Sequence, residues 1–229
     1  TPIRPGENVQ AGTPIRPGKC TGGDAYTPRR KIMETHFFDG KTHVSEATER
    51  ILPHWSMKDI YTFATWRLAD ALPQTKLQEW SASRDTWILN HPKPWDEVTE
   101  RLYAEKFGDE LEKWLDSGYG SCELKDTAMA EIVEKSLLHF HGERYKMVAY
   151  AIMPNHVHVL FHPMLGWDAG SSIQAWKSFS AHAINKALAR KGPLWQQESW
   201  DRLIRNELHF ERVISYILEK NHGKRFLGA

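Results

Sequence analysis

The residue types and spacing best suited to chemistry lie in Tyr150–Pro163, YAIMPNHVHVLFHP, which contains the triplet His156-Val157-His158. Apolar and β-branched residues dominate this run, and Pro154-Asn155 interrupts it, so it reads as two strands joined by a tight turn. Side chains alternate along a strand, so His156 and His158 leave one face while Val157 and Val159 leave the other. Same-face neighbours sit about 7 Å apart at the backbone, close enough for two imidazoles to converge on one metal ion. Two histidines on a buried sheet would be costly without a ligand or polar partners. The alternative is an ordinary pair of hydrogen-bonded core histidines. His162 shares their parity but lies roughly 13 Å beyond His158 along an extended strand, a poor position for a third ligand.

The chain that must position these side chains has 229 residues, enough for one large domain or one domain with decorations. Apolar content of 41% and charged content of 26% are ordinary for a globular protein. Ten tryptophans supply aromatic faces for core packing or for stacking on bases. Cys20 and Cys122 are too few for a disulfide framework and have no metal-site spacing. No apolar run reaches membrane-spanning length and no signal-like pattern opens the chain, so the expected location is the cytoplasm, without a membrane partner. The formal net charge of +1 hides an asymmetry: Ser171–Ala229 holds ten Lys and Arg against five Asp and Glu. Such a basic third could face a phosphate backbone or simply form solvated helix faces.

Residues 1–55 read as an irregular, mobile extension in which TPIRPG occurs twice, at Thr1–Gly6 and Thr13–Gly18. Two copies do not make a solenoid. Alternation predicts a first strand over Asp59–Leu68. Helical spacing follows at about Trp95–Asp116, opened by Pro94, with Val98, Leu102, Leu111, Trp114 and Leu115 facing the body. A second helix is expected from Lys125 to about His141, then strands at Tyr145–Met153 and His156–His162. Ser171 or Ser172 would cap a helix to about Arg190, with Ile173, Trp176, Phe179, Ala183, Ile184 and Ala187 inward. A short strand near Trp200–Arg205 and a last helix from Asn206 or Glu207 complete the order. This is an α+β pattern: a ferredoxin-like βαββαβ antiparallel sheet over 56–229, with an added C-terminal helix.

Three motifs in this order, MPNHVHVL at Met153–Leu160, WKSFSAHAINK at Trp176–Lys186 and LWQQESWDRLIRNELHFERVISYI at Leu194–Ile217, together resemble the REP-associated tyrosine transposases. These belong to the HUH single-tyrosine superfamily, related to the IS200-like transposases. The resemblance spans roughly Lys58–Asn221, with a helical insertion at about 83–117. It implies that His156 and His158 bind a divalent ion, Mg²⁺ or Mn²⁺, and that Tyr216 is the nucleophile. It also implies attack on a DNA phosphodiester, giving a 5′-phosphotyrosine link and a free 3′-OH, on single-stranded or hairpin DNA from palindromic repeats. A phenol with a pKa of about 10 needs a polarised phosphate or a base to react. By ligand softness, two imidazoles favour Mn²⁺ or Zn²⁺ over Mg²⁺. Taken alone, Tyr216 beside Val213 would read as a packing residue.

Relatives usually continue from the tyrosine as YI-x-x-NP, the residue at plus four supplying a third ligand. Here plus four is Lys220, a cation, and Asn221 follows at plus five. Asn221 is the favoured third ligand, with Glu219 and His222 as alternatives. Lys177, Arg202 and Arg205 are candidate phosphate contacts. Trp200 and Trp195 are candidates for stacking on unpaired bases or for the core. The altered tail leaves room for a catalytically weakened hairpin-binding protein, monomer or homodimer. A hydrolase using His156, His158 and His162 is a third possibility, lacking a carboxylate base at convincing spacing.

Overall fold

The computed structural model describes residues 36–38, 46–48, 54–56, 59–92, 95–219 and 224–227. Within the stretch expected to be irregular, β1 (Glu46–Thr48) and β2 (His54–Ser56) pair antiparallel. The repeated hexapeptides and the basic residues near Arg29 lie outside the described residues, as do Pro94, Lys220, Asn221 and His222.

The main sheet is built from β3 (Thr62–Arg67), β4 (Tyr145–Ile152), β5 (His156–Pro163), β6 (Trp200–Leu203) and β7 (Lys224–Leu227). Its order is β6-β3-β5-β4-β7, every neighbour antiparallel. Without β7 this is the expected ferredoxin-like arrangement; β7 extends the β4 edge by a strand that sequence patterning did not reveal.

β5 lies in the middle and is buried along its whole length. Val157, Val159 and Phe161 point to the face covered by α4 (Thr127–Leu138) and α5 (Ala169–Ala187), where they join Trp66, Trp176 and Ile184. Leu160 points to the opposite face, beneath α6 (Glu207–Glu219) and its buried Phe210, Val213, Ile214 and Ile217. On β4 the register shifts between Met147 and Ala149, a bulge that reverses side-chain parity. Tyr145 and Met147 before it, and Tyr150 and Ile152 after it, therefore all face α4 and α5, leaving the small Ala149 and Ala151 under α6.

Short polar side chains start the helices. The Asp126 carboxylate accepts from Ala128 N at 2.8 Å, Asp168 from Ser171 N at 2.8 Å, and Asn206 from His209 N at 2.8 Å. Asp168 is thus the α5 cap in place of Ser171 or Ser172, and on that helix Phe179 faces out, not in.

The insertion between β3 and α4 holds three helices: α1 (Gln74–Asn90), α2 (Glu97–Tyr103) and α3 (Asp109–Asp116), with a π-helical turn at Ala104–Gly108 before α3. α1 is longer than the other two and lies wholly before the helical stretch expected at Trp95–Asp116. Leu77, Trp80 and Trp87 would form its apolar stripe, but the buried Arg84 interrupts it. In α2 and α3 the inward residues are Tyr103, Phe107, Leu111 and Leu115, whereas Val98 and Leu102 are exposed. Trp200 anchors this unit to the sheet, its ring parallel to Tyr103 at 5.8 Å between centroids. Gly108 lets the Arg202 guanidinium lie close against the backbone, where a Cβ would push that side chain aside.

Tyr145 ties the α4–α5 layer together. Its hydroxyl donates to Leu137 O at 2.9 Å and accepts from Trp176 Nε1 at 2.8 Å, all buried. Tyr145→Phe should cost about 1–3 kcal/mol, because it leaves the indole N–H unpaired in the core. Urea denaturation of the two proteins checks this; an unchanged midpoint would remove the assigned role.

Candidate active site

His156 and His158 emerge on the α6 face of β5, and their Nε2 atoms are 2.9 Å apart. Thr65 and Arg67 lie directly across on β3, opposite His158 and His156 respectively. The other ring nitrogens are held. His158 Nδ1 is 2.8 Å from Thr65 Oγ1, and His156 Nδ1 is 2.8 Å from Asn155 Oδ1. Asn155 Nδ2 donates to Leu115 O at 3.1 Å and Tyr119 O at 3.0 Å, which turns its carbonyl oxygen toward His156. That oxygen can only accept, so His156 carries its proton on Nδ1 and leaves Nε2 a bare lone pair.

The 2.9 Å contact between Nε2 atoms then requires His158 to donate from Nε2 when no cation is present, with Thr65 donating to His158 Nδ1. Moving the His158 proton to Nδ1 and reversing the Thr65 hydroxyl frees both Nε2 lone pairs. Neutral imidazoles with both Nε2 atoms aimed at one place, and both Nδ1 atoms oriented by neighbours, fit a divalent cation.

Tyr216 meets this pair from α6. Its hydroxyl is 3.4 Å from His158 Nε2, and its ring is edge-on to the imidazole at 5.2 Å between centroids. The insertion supplies two carboxylates that spacing did not suggest, one helical turn apart on α3. The Tyr216 hydroxyl donates to Glu112. Asp116 Oδ1 is 3.9 Å from His156 Nε2. Arg202 Nη2 lies 4.0 Å from Glu112 Oε1, completing a cluster of phenol, carboxylates and guanidinium above the histidines.

Burial pushes the Tyr216 phenol well above its ordinary range, and the Glu112 and Asp116 charges push it further, with Arg202 opposing. Burial also raises the Asp116 carboxyl pKa. Burial lowers His156 to about 3 and holds His158 well below the usual histidine value, with His156 and Arg202 adding to the shift at His158. The buried Arg67 guanidinium beside His156 is lowered to about 10, again chiefly by burial, with Glu198 opposing.

The remaining candidates are placed differently. The Lys177 ammonium is turned inward onto Gln197 O at 2.8 Å. Trp200 and Trp195 are core residues, the latter donating to Ser180 Oγ at 3.0 Å. Arg202 and Arg205 are part-exposed on the β6 side, Arg205 beside the Phe38 ring. Glu219 is exposed at the end of α6, and the favoured third ligand, Asn221, lies outside the described residues. His162 sits away from the pair, against His36 and Asp59.

Residues 124–219, from the turn before α4 to the end of α6, match the family described as transposase IS200 like. The chain resembles the IS200-like transposases. The matched segment includes His156, His158 and Tyr216, but not β3, Glu112 or Asp116. Among solved structures, a REP-associated tyrosine transposase bound to a REP hairpin aligns at 15% identity, covering 75% of this chain and 70% of that one, with a TM-score of 0.36. A Deinococcus radiodurans R1 protein classed as a transposase aligns at 15% identity over 75% of this chain and 95% of its own, with a TM-score of 0.32. Both likenesses are too distant to carry residue roles. No curated protein matches the chain.

Two expectations follow for this IS200-like site. Asn155→Ala should weaken divalent-ion binding about 10–100-fold by releasing the His156 ring, as titration calorimetry would register. In chelator, His156 and His158 remain neutral when folded but take up protons once unfolded. Below pH about 6.5 the unfolded state therefore binds more protons, and stability falls as pH drops toward 3. Each such group adds a slope of up to about 1.4 kcal/mol per pH unit. Urea midpoints at pH 7, 6 and 5 test this, and a flat series would contradict it.

Proposed function

We propose that the protein is a metal-dependent DNA strand transferase that cleaves single-stranded hairpin DNA through a covalent link to Tyr216. The observation that carries this reading is the phenol 3.4 Å from His158 Nε2, itself 2.9 Å from His156 Nε2. A helix tyrosine in a packing role has no need of two converging imidazole Nε2 atoms and a carboxylate around its hydroxyl.

His156 and His158 would hold the divalent ion, Mg²⁺ or Mn²⁺, with Asp116 the nearest described carboxylate to the pair and Asn221, Glu219 or His222 as further donors. When bound, the ion supplies neutralisation of charge on the phosphoryl oxygens and alignment for displacement. Tyr216 Oη forms the new bond to phosphorus while the bond from phosphorus to the 3′ oxygen breaks. The phenolic proton passes to Glu112, and the departing 3′ oxygen takes a proton from solvent, leaving a 5′-phosphotyrosine and a free 3′-OH. The reverse attack by a 3′-OH joins strands and returns the proton from Glu112 to the phenol. Arg202, beside the phenol, gives the scissile region a cationic neighbour, and Arg205, beside Phe38, would meet phosphates further along the strand. The raised pKa of Tyr216 makes transfer to a base during attack, rather than prior ionisation, the favoured route.

The test uses end-labelled hairpin strands with Mn²⁺ and denaturing gels. Wild type should yield a protein–DNA adduct, and Tyr216→Phe and His156→Ala none. Glu112→Gln should slow adduct formation about 10²-fold. Hairpin binding by every variant with no adduct from wild type would identify a non-catalytic hairpin binder. Cleavage persisting in Tyr216→Phe would instead indicate attack by water.

A further inference from the structure

His162 leaves β5 on the same face as His156 and His158, at the far end of the strand, and the mechanism above does not use it. It is 7% exposed, and its buried Nε2 makes no hydrogen bond of acceptable angle although Asp59 Oδ1 is only 3.1 Å away. His36 closes the cluster from the N-terminal side. Its Nδ1 is 3.3 Å from Asp59 Oδ2 and 3.2 Å from the Asp59 carbonyl oxygen. One donor atom from each of His36, Asp59 and His162 lies within 4.8 Å of the others. Ligands about 2.0–2.2 Å from a tetrahedral ion sit about 3.4 Å from one another, so small side-chain rotations would suffice.

We infer that His36, Asp59 and His162 form a second, structural site for a borderline-soft divalent cation such as Zn²⁺, clamping the N-terminal segment to the sheet. Two imidazoles and one carboxylate are the donor set such an ion takes. The site is shielded on one side by Tyr61, whose ring lies 4.8 Å from His162 and 6.2 Å from His36 between centroids. Asp59 adopts φ +64, a left-handed conformation that turns both its carbonyl and its carboxylate toward the histidines.

The backbone explains what a cation here would hold. His36 O accepts from Tyr61 N at 3.0 Å, and Phe38 N donates to Ile204 O at 2.8 Å. Residues 36–38 thus bridge the chain entering β3 and the chain leaving β6. Phe37 adds ring contacts with Tyr61 and Phe210, and Phe38 packs on Ile60 and Leu203, so the segment is docked where a cation could cross-link it. A cation shared by residues 36, 59 and 162 cross-links three separate stretches and stabilises only the state in which they meet.

The two sites are separable by variants of the full-length chain. In His156→Ala/His158→Ala, Zn²⁺ added after chelator treatment should bind at one equivalent in titration calorimetry and raise Tm. Adding His36→Ala to that background should weaken binding at least tenfold and abolish the Tm shift, with circular dichroism unchanged. His162→Asn should do the same, and His36→Ala guards against His162→Asn failing to fold. Cobalt absorption bands of low coordination number, present with His36 and lost without it, would report the same ligands directly. If the double-alanine protein binds no Zn²⁺, or if binding survives His36→Ala, the clamp is disproved.

Discussion

One side-chain amide fixes the geometry on which the site depends. Asn155 stands in the turn between β4 and β5, gives both amide protons to carbonyls at the end of α3 and beyond, and offers its oxygen to His156. It thereby determines the tautomer of a buried imidazole and docks the insertion on the same residue. A histidine with no exposed surface cannot rely on water to choose its protonation state, so the choice is made by a neighbour that can only accept. His158 is oriented from the strand on the other side by Thr65, whose hydroxyl can donate or accept and so permits either tautomer.

The insertion is more than a decoration on the sheet. α3 runs close enough to deliver Glu112 to the phenol and Asp116 to within reach of His156. Both residues lie outside the segment that matches the family. A carboxylate at the phenol discourages a standing phenolate while providing a destination for its proton. The cost of holding these charges near a half-buried tyrosine is offset in part by Arg202, which reaches the cluster across Gly108.

Much of this could be read from the chain because the informative residues sit on regular elements. The alternation of His156 to His162 states which side chains share a face, and the 3.6-residue stripe of Phe210, Val213, Ile214 and Ile217 states which face of α6 is down. That stripe alone reads Tyr216 as a packing residue at its margin; only the resemblance singles it out. What was not legible depends on contacts between distant segments. The pattern of α1 is hidden because Arg84 occupies a stripe position that only the folded surroundings make tolerable. Glu112 and Asp116 look like any surface carboxylates on an amphipathic helix until α3 is placed over β5. The fate of Trp200, packed on Tyr103 instead of exposed, likewise depends on where the insertion lands. His162 reads from spacing as too far along the strand to join His158, while its neighbours are His36, from a stretch with no periodicity to follow, and Asp59, at the very start of the expected first strand.

The irregularity in β4 governs how near the last helix can come. Had the pairing stayed regular past Met147, the ring of Tyr150 would project beneath α6 where the methyl of Ala149 or Ala151 now sits. The helix would ride higher by the thickness of an aromatic side chain, and the phenol would be lifted clear of the imidazoles. A single unpaired residue in a neighbouring strand, remote from the histidine pair, therefore sets the height at which Tyr216 sits above the sheet.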